Sequence, residues 1–425
     1  MKRNKYMNWF FVAALAVTGF SMTSCEDEPD KFELADGHPT LLYVRSPLPA
    51  EADSLLVGAY MGNTVCLVGN NLRSIYELYF NDQKAVLNTS YMTDHTVLVD
   101  VPKTIPTDVT NKIYMVTKSK DTVDFDFKVL VPAPQITSME CEYVQPGSEA
   151  TIYGDYMIDD PNVPLTITMA GNVPVTEITS VSKTQVSFIV PEGALPGTIT
   201  MTSIYGTGRS SFQYGDTRNI LFDWDGSHGG LALANGWRKG NVHDNDPVEN
   251  LDGPYLYFGK AKFDANSTTW KEDEYCFNHW AYSDSDALYN RPEFAAMIEK
   301  YGVANLQIKF EINVPSENPW KANALQVMFT KVGVVDGNGY YSDGSPRGLW
   351  TPWKNTGSYD TGGKWQTVSM KLSEFIYTHE GKTSTGTLSK EDLAGLTFFV
   401  WNGGVAGAEC EPVICIDNIR VVPVE

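Results

Sequence analysis

Short apolar runs rich in Val, Ile, Thr and Tyr alternate with turn residues about every ten positions from residue 39 to residue 215, the pattern of small antiparallel β-sandwiches. The pattern is laid down twice. Leu67-Val68-Gly69-Asn70-Asn71-Leu72 recurs in type as Ile152-Tyr153-Gly154-Asp155-Tyr156-Met157, and Val97-Leu98-Val99-Asp100-Val101-Pro102 matches Val186-Ser187-Phe188-Ile189-Val190-Pro191, so two copies of one module are expected in tandem. Gly69 and Gly154 are expected at tight turns, where a positive φ is cheap for glycine. Pro132 and Pro134 fix the backbone and remove donors in Val131-Pro132-Ala133-Pro134, so the first sandwich should span 39–133 and the second 134–215.

Beyond about Asn219 the pattern changes. Strand-like runs persist at 306–312, 325–329, 366–372 and 396–400, and period-two alternation in the first three predicts one face in a core and the other outward. Short helices are expected around Pro292 to Tyr301 and after Ser389, whose hydroxyl can cap the turn Lys390-Glu391-Asp392-Leu393. A domain of roughly 205 residues built from such strands predicts a jelly-roll sandwich over 216–425. Of the 10 tryptophans, Trp9 stands near the N-terminus and every other one follows Asn219. The chain is therefore read as all-β.

At the N-terminus Lys2, Arg3 and Lys5 precede an apolar run from Trp9 to Phe20 that stops at Ser21-Met22-Thr23-Ser24-Cys25, an export signal over 1–24. The run falls short of the ~20 apolar residues that span a bilayer. Its end resembles the lipobox of bacterial lipoproteins, which implies lipidation of Cys25 and anchoring to the outer membrane. Glu26, Asp27, Glu28 and Asp30 follow in a tether over 25–38, and this acidic run is similar to the tag that directs lipoproteins of glycan-foraging Gram-negative bacteria to the outward-facing cell surface.

The formal charge is −20, from 32 Lys and Arg against 52 Asp and Glu, and loss of the leader makes it more negative. No nucleic-acid partner is expected, because a phosphate backbone needs a basic footprint. A neutral polymer is indifferent to that charge. Cys66, Cys141, Cys276, Cys410 and Cys415 form no CxxC pair and are odd in number, so neither a disulfide framework nor a zinc site is read. Cys410 and Cys415 could pair across a turn, but buried thiols are the preferred reading. No metal or other cofactor is expected, with Asp417 left open as a ligand of a structural calcium.

The strand, Gly-Asn/Asp turn and strand-Pro pattern of 39–133 and 134–215 resembles the immunoglobulin-like modules called IPT or TIG domains. Ile220-Leu221-Phe222-Asp223-Trp224-Asp225-Gly226, Gly363-Lys364-Trp365-Gln366-Thr367-Val368 and Ile416-Asp417-Asn418-Ile419-Arg420-Val421 together look like a carbohydrate-binding jelly roll. The whole layout resembles surface glycan-binding proteins of polysaccharide-utilisation loci, with a C-terminal domain similar to the xyloglucan-binding one. That resemblance implies two tandem immunoglobulin-like β-sandwiches followed by a larger jelly-roll β-sandwich. It also implies non-catalytic capture of a polysaccharide of the β-glucan or xyloglucan class, with a TonB-dependent transporter and a SusD-like glycan-binding lipoprotein as partners.

Tryptophan suits a neutral glycan, because a flat indole laid on a pyranose face removes apolar area from water and offers π density to its C–H groups. Trp224, Trp365 and Trp401 lie in strand-like contexts and are assigned to the interior or its rim, while Trp237 and Trp270 are left undecided. Trp320, in Pro315-Ser316-Glu317-Asn318-Pro319-Trp320-Lys321, and Trp350 and Trp353, in Pro346 to Lys354, occupy proline-pinned loops where exposed rings are expected. The resemblance to the xyloglucan-binding domain points to the regions of Trp320 and Trp353. Trp280 and Tyr341 are further aromatic candidates, and Asn323, Gln326 and Lys354 are the polar ones. Two other readings stand beside this one: a glycoside hydrolase with paired carboxylates, and a protein-binding adhesin. No catalytic residue is assigned.

Overall fold

The computed structural model describes residues 32–424 except Ala52 and Ser267, so the leader, Cys25 and the first part of the tether lie outside the described residues. The chain divides into two compact units between Pro132 and Ala133, within the proline-bearing linker. In the first unit, one sheet runs Leu55–Leu56, Thr40–Arg45, Thr64–Asn70, Thr96–Asp100 and the other Gln83–Lys84, Ile75–Phe80, Lys112–Thr117, Thr122–Asp126. Between them Leu67, Leu78, Phe80, Val97, Ile113 and Met115 pack out of water.

The same arrangement opens the second unit. Gln135–Met139, Glu149–Asp155, Gln185–Ile189 and Ile178–Val181 face Val173–Pro174, Thr166–Ala170, Leu195–Ser203 and Gly206–Arg209 across Ile152, Ile167, Phe188 and Met201. The two repeat glycines are not at turns, which corrects the expectation from sequence. Gly69 and Gly154 lie inside strands beside a β-bulge, and a Cβ there would fall 2.0 Å from the Thr40 carbonyl oxygen and 1.8 Å from that of Gln135. Glycine is needed for close approach of the neighbouring strand. The left-handed positions that follow are Asn71 and Tyr156.

The rest of the second unit is a sandwich of a six-stranded and a four-stranded antiparallel sheet. The larger runs Asn241–His243, Tyr255–Phe258, Ile414–Pro423, Leu306–Asn313, Gln366–Lys371, with Ile220–Phe222 also paired to Ile414–Pro423. The smaller runs Cys276–His279, Gly395–Val400, Leu325–Thr330, Gly348–Trp350. Leu256, Phe277, Ile308, Phe310, Phe398 and Ile416 belong to the core between them. Pro292–Tyr301 is helical, with proline at its start and Gly302 at its end, and Ser389 caps Lys390–Ala394 in a capping box. The described cysteines are unpaired thiols, all buried except Cys410, which is half-buried.

The alternation in Leu306–Asn313 misleads in one respect: both faces are buried. Its polar face, Gln307, Lys309, Glu311 and Asn313, is buried, and Lys309 and Glu311 on it belong to a charge cluster shared with the preceding sandwich. Glu142 of that sandwich reaches Lys309 Nζ (2.8 Å) and Arg420 Nη2 (2.7 Å), while Arg420 Nη1 donates to Glu311 Oε2 (2.7 Å). Burial pushes the Glu311 carboxyl up, and Arg420 pulls it back. Thr367 binds both sides, its N–H donating to the Glu140 carbonyl (2.7 Å) and its hydroxyl accepting from the Glu142 N–H (2.8 Å). The Tyr143 ring lies 5.0 Å from the Arg420 guanidinium. Glu142→Ala removes the anion from between two buried cations, so we expect a loss of about 3 kcal/mol in denaturant unfolding of the second unit. The transition of the first unit should not move.

Candidate functional site

The face of the four-stranded sheet turned away from the main core carries Cys276 and Asn278, Thr397 and Phe399, and Gln326 and Met328. A short helix, Gly337–Tyr341, covers its middle; Asp336 caps it, accepting the Asn338 N–H (3.1 Å). Tyr341 is buried there, its hydroxyl accepting from Asn278 Nδ2 (2.8 Å). Arg347 fastens the cover: Nη1 donates to Gln326 Oε1 (2.9 Å) and to the Tyr341 carbonyl (2.8 Å), and Nη2 to the Tyr340 carbonyl (3.2 Å). Gln326 Nε2 donates to the Trp401 carbonyl (2.6 Å). At the rim Trp401 stacks on Phe399 and on His379, whose rings lie 5.1 Å apart and nearly parallel. The half-buried Trp270 meets Trp401 edge-on at 4.6 Å.

Trp237 stands on the neighbouring edge and is 73% exposed. Its backbone is hooked to the strand Cys276–His279. Arg238 N–H donates to Asn278 Oδ1 (3.0 Å), Asn278 N–H to the Arg238 carbonyl (2.7 Å), and Asn235 N–H to His279 Nδ1 (3.1 Å). Gly236 lets the loop come this close, since a Cβ there would sit 2.0 Å from Asn278 Oδ1. The Arg238 guanidinium lies 5.8 Å from the Trp237 ring centre and is itself held by Glu272 (2.7 Å) and Asp273 (2.8 Å). A large apolar ring thus stands in water on an immobilised backbone, with an ion-paired cation beside it. Tyr282, 54% exposed, packs edge-on against Trp280 nearby, and Trp280 N–H donates to the Asn235 carbonyl (3.0 Å). Burial holds the His279 imidazole below its ordinary value, with the Asp286 backbone opposing weakly, so Nδ1 is free to accept the Asn235 N–H.

Most of the rings singled out from sequence point inward, and these are corrections. Trp320 is fully buried, with Nε1 donating to the Ala322 carbonyl (2.6 Å). Trp353 is 3% exposed, with Nε1 on the Asn323 carbonyl (2.8 Å). Trp350 is half-buried between Trp320 and Tyr359. Trp320 and Trp353 each place their single N–H on a backbone carbonyl, so the polar tip is satisfied inside. The proline-bracketed loop of Trp320 does not stand out in solvent, because Trp320 and Tyr359 exchange backbone hydrogen bonds that tuck it against the core. Asn323 is buried beneath this cluster, Trp280 and Tyr341 are buried as described, and Gln326 is buried under the helix. Lys354 alone is exposed.

The structure brings Tyr341 and Gln326 together with Asn278 and Trp401, and Trp320, Trp350, Trp353 and Asn323 into the core. Trp224, Trp365 and Trp401 are interior. Among the described residues no group of three or more His, Cys, Asp or Glu is placed to hold a metal ion. Asp417 Oδ1 accepts the Asn418 N–H (2.8 Å), and burial beside Asp252 pushes its carboxyl well up.

This domain matches a known family, the surface glycan-binding protein B xyloglucan binding domain, over residues 214–423. The whole chain is similar to the crystal structure of the surface glycan-binding protein PbSGBP-B from Prevotella bryantii, 37% identical, covering 92% of this chain and 100% of that one with a TM-score of 0.77. The chain belongs to the surface glycan-binding protein B family. An IPT/TIG domain-containing protein of Bacteroides ovatus is 27% identical over 151 residues, a match that spans 34% of this chain and 30% of that protein. A surface glycan-binding protein B of Bacteroides uniformis is 18% identical with a TM-score of 0.45.

In this surface glycan-binding protein the exposed ring that sequence reasoning left undecided is Trp237. The signal was present in Gly236-Trp237-Arg238-Lys239-Gly240, a tryptophan set among glycines and basic residues with no apolar residue two positions to either side. Trp353→Ala should cost about 3 to 5 kcal/mol in thermal or denaturant unfolding, whereas Trp237→Ala should leave the unfolding midpoint unchanged. His279 adds a pH dependence: the unfolded imidazole protonates near pH 6.5 while the buried one takes up its proton only at lower pH, so stability falls as pH drops below the unfolded value. Melting curves between about pH 7 and 5 should show this slope flattened in His279→Gln.

Proposed function

We infer that this protein captures a neutral polysaccharide at the cell surface through its C-terminal domain and does not cleave it. The observation that carries the reading is the uncovered Trp237 indole, hooked by its neighbours to Cys276–His279, the strand beyond whose end Tyr282 is also exposed. A ring held in place before binding loses little freedom when a pyranose lies on it, and each such platform contributes about 1 to 2 kcal/mol. Two or three give the micromolar to millimolar affinity that suits a polymer tether, which must hold a chain and release it.

The ligand class we propose is a β-glucan with xyloglucan as its leading member, on the strength of the family to which the C-terminal domain belongs. The absence of cleavage is supported by the carboxylates nearest the exposed ring: Glu272 and Asp273 are both engaged by Arg238 rather than set facing one another across a cleft. Confinement of tryptophan to the last domain favours glycan over protein as the ligand. We further propose that Cys25 carries the lipid anchor and that the protein acts on the outer face of the outer membrane, with a TonB-dependent transporter and a SusD-like lipoprotein as partners.

Electrophoresis of the chain from residue 30 onward through gels containing xyloglucan, mixed-linkage β-glucan, mannan or xylan should show retardation by at least one polymer. Trp237→Ala should weaken that retardation about tenfold in affinity with no release of reducing ends by either protein. Unchanged retention in the variant would remove Trp237 from the site.

A further inference from the structure

We propose that the cavity beside the Trp237 loop receives a single branch sugar of a glycan whose backbone lies across Trp237 and Tyr282. This rests on the glycan-holding reading and adds to it a preference for branched over unbranched polymers. The cavity is lined by Leu231, Asn235, His279, Asp286, Asn290 and Arg291, with Ser285, Ala287 and Leu288 completing it. Its volume of about 320 Å³ stands at the lower end of small-ligand pockets, which run from roughly 300 to 1,000 Å³, and so offers room for one sugar ring and not for a chain.

The lining matches the chemistry of a pyranose. Leu231, Ala287 and Leu288 form an apolar side for a ring face, while Asn235, Asn290, Asp286 and Ser285 offer donors and acceptors for hydroxyls at its edge. The wall is also set in advance. Arg291 Nη2 donates to the Ile220 carbonyl (3.0 Å) and the Gly229 carbonyl (2.7 Å), and Asp286 Oδ2 accepts from the N–H (2.9 Å) and hydroxyl (2.9 Å) of Ser283. His279 lines the cavity as well, and its Nδ1 accepts the Asn235 N–H, which fixes the ring against the loop.

Position links cavity and platform. Asn235 is both a wall of the cavity and the residue that accepts from Trp280 N–H, and Trp237 stands two residues further along the same hooked loop. Tyr282 packs on Trp280 and directly precedes the segment that supplies Ser285 to Leu288, Asn290 and Arg291 to the cavity lining. A backbone resting on the two exposed rings therefore has the cavity at its side.

The test compares wild type, Ser285→Tyr and Asn290→Ala by affinity electrophoresis and calorimetry against xyloglucan, which carries xylosyl branches, and unbranched mixed-linkage β-glucan. Ser285 is exposed at the mouth and its hydroxyl shares a hydrogen bond only with that of Ser283 (2.8 Å), so tyrosine there fills the cavity from outside. Wild type should bind the branched polymer about tenfold more tightly. Each variant should lose most of that advantage while its affinity for the unbranched polymer and its melting temperature stay put. Equal binding of the two polymers by wild type, or variants that bind both as wild type does, overturns the branch pocket and leaves glycan capture standing. A parallel fall in both affinities with a lowered melting temperature also overturns it, as a structural role. Failure of wild type to bind either polymer strikes the glycan reading itself.

Discussion

Arg420 sits with no access to water and holds two carboxylates at once, one from its own sheet and one from the sandwich that precedes it. Burying that many charges is costly, and the cost is offset because two anions and two cations interlock through short hydrogen bonds. The gain is geometric. A guanidinium fork, a threonine that bonds both modules and a tyrosine ring laid against the fork admit one relative placement of sandwich and jelly roll. The broad face of the six-stranded sheet is thereby consumed as an internal joint. The other sheet with its edge loops carries the glycan site proposed above.

Trp320 and Trp353 differ from Trp237 in what surrounds their polar tips. Trp320 and Trp353 find backbone carbonyls inside and become core; Trp237 finds none, sits beside a cation that is already paired, and stays in water. The close contact of Gly236 with Asn278 makes the exposure stable rather than incidental, because the loop has no slack with which to fold its indole away.

Much of the architecture could be read from the chain. The strand pairs of the C-terminal domain, the helix at Pro292–Tyr301 and the cap at Ser389 follow from periodicity and local chemistry that act within a few residues. Burial on both faces of Leu306–Asn313 did not follow, since Lys309 and Glu311 look solvent-facing until Glu142 arrives from a distant segment. The site was less legible still. Proline suggested exposure for Trp320 and Trp353, yet proline fixes only the backbone, and whether a ring turns inward depends on a cross-chain partner such as Tyr359 that no window of sequence contains. Tyr341, an aromatic candidate from sequence, ends the helical turn Gly337–Tyr341 and is pulled under by Asn278 and Arg347.

The unpaired thiols carry a consequence of their own. Cys66, Cys141, Cys276 and Cys415 are sealed among apolar neighbours, and burial keeps their protons on. No described cross-link has to be oxidised for these sheets to close, so reductants that would dismantle a cystine-stapled domain leave this architecture as it is. Over the described residues the fold therefore does not rely on a cystine cross-link being kept oxidised.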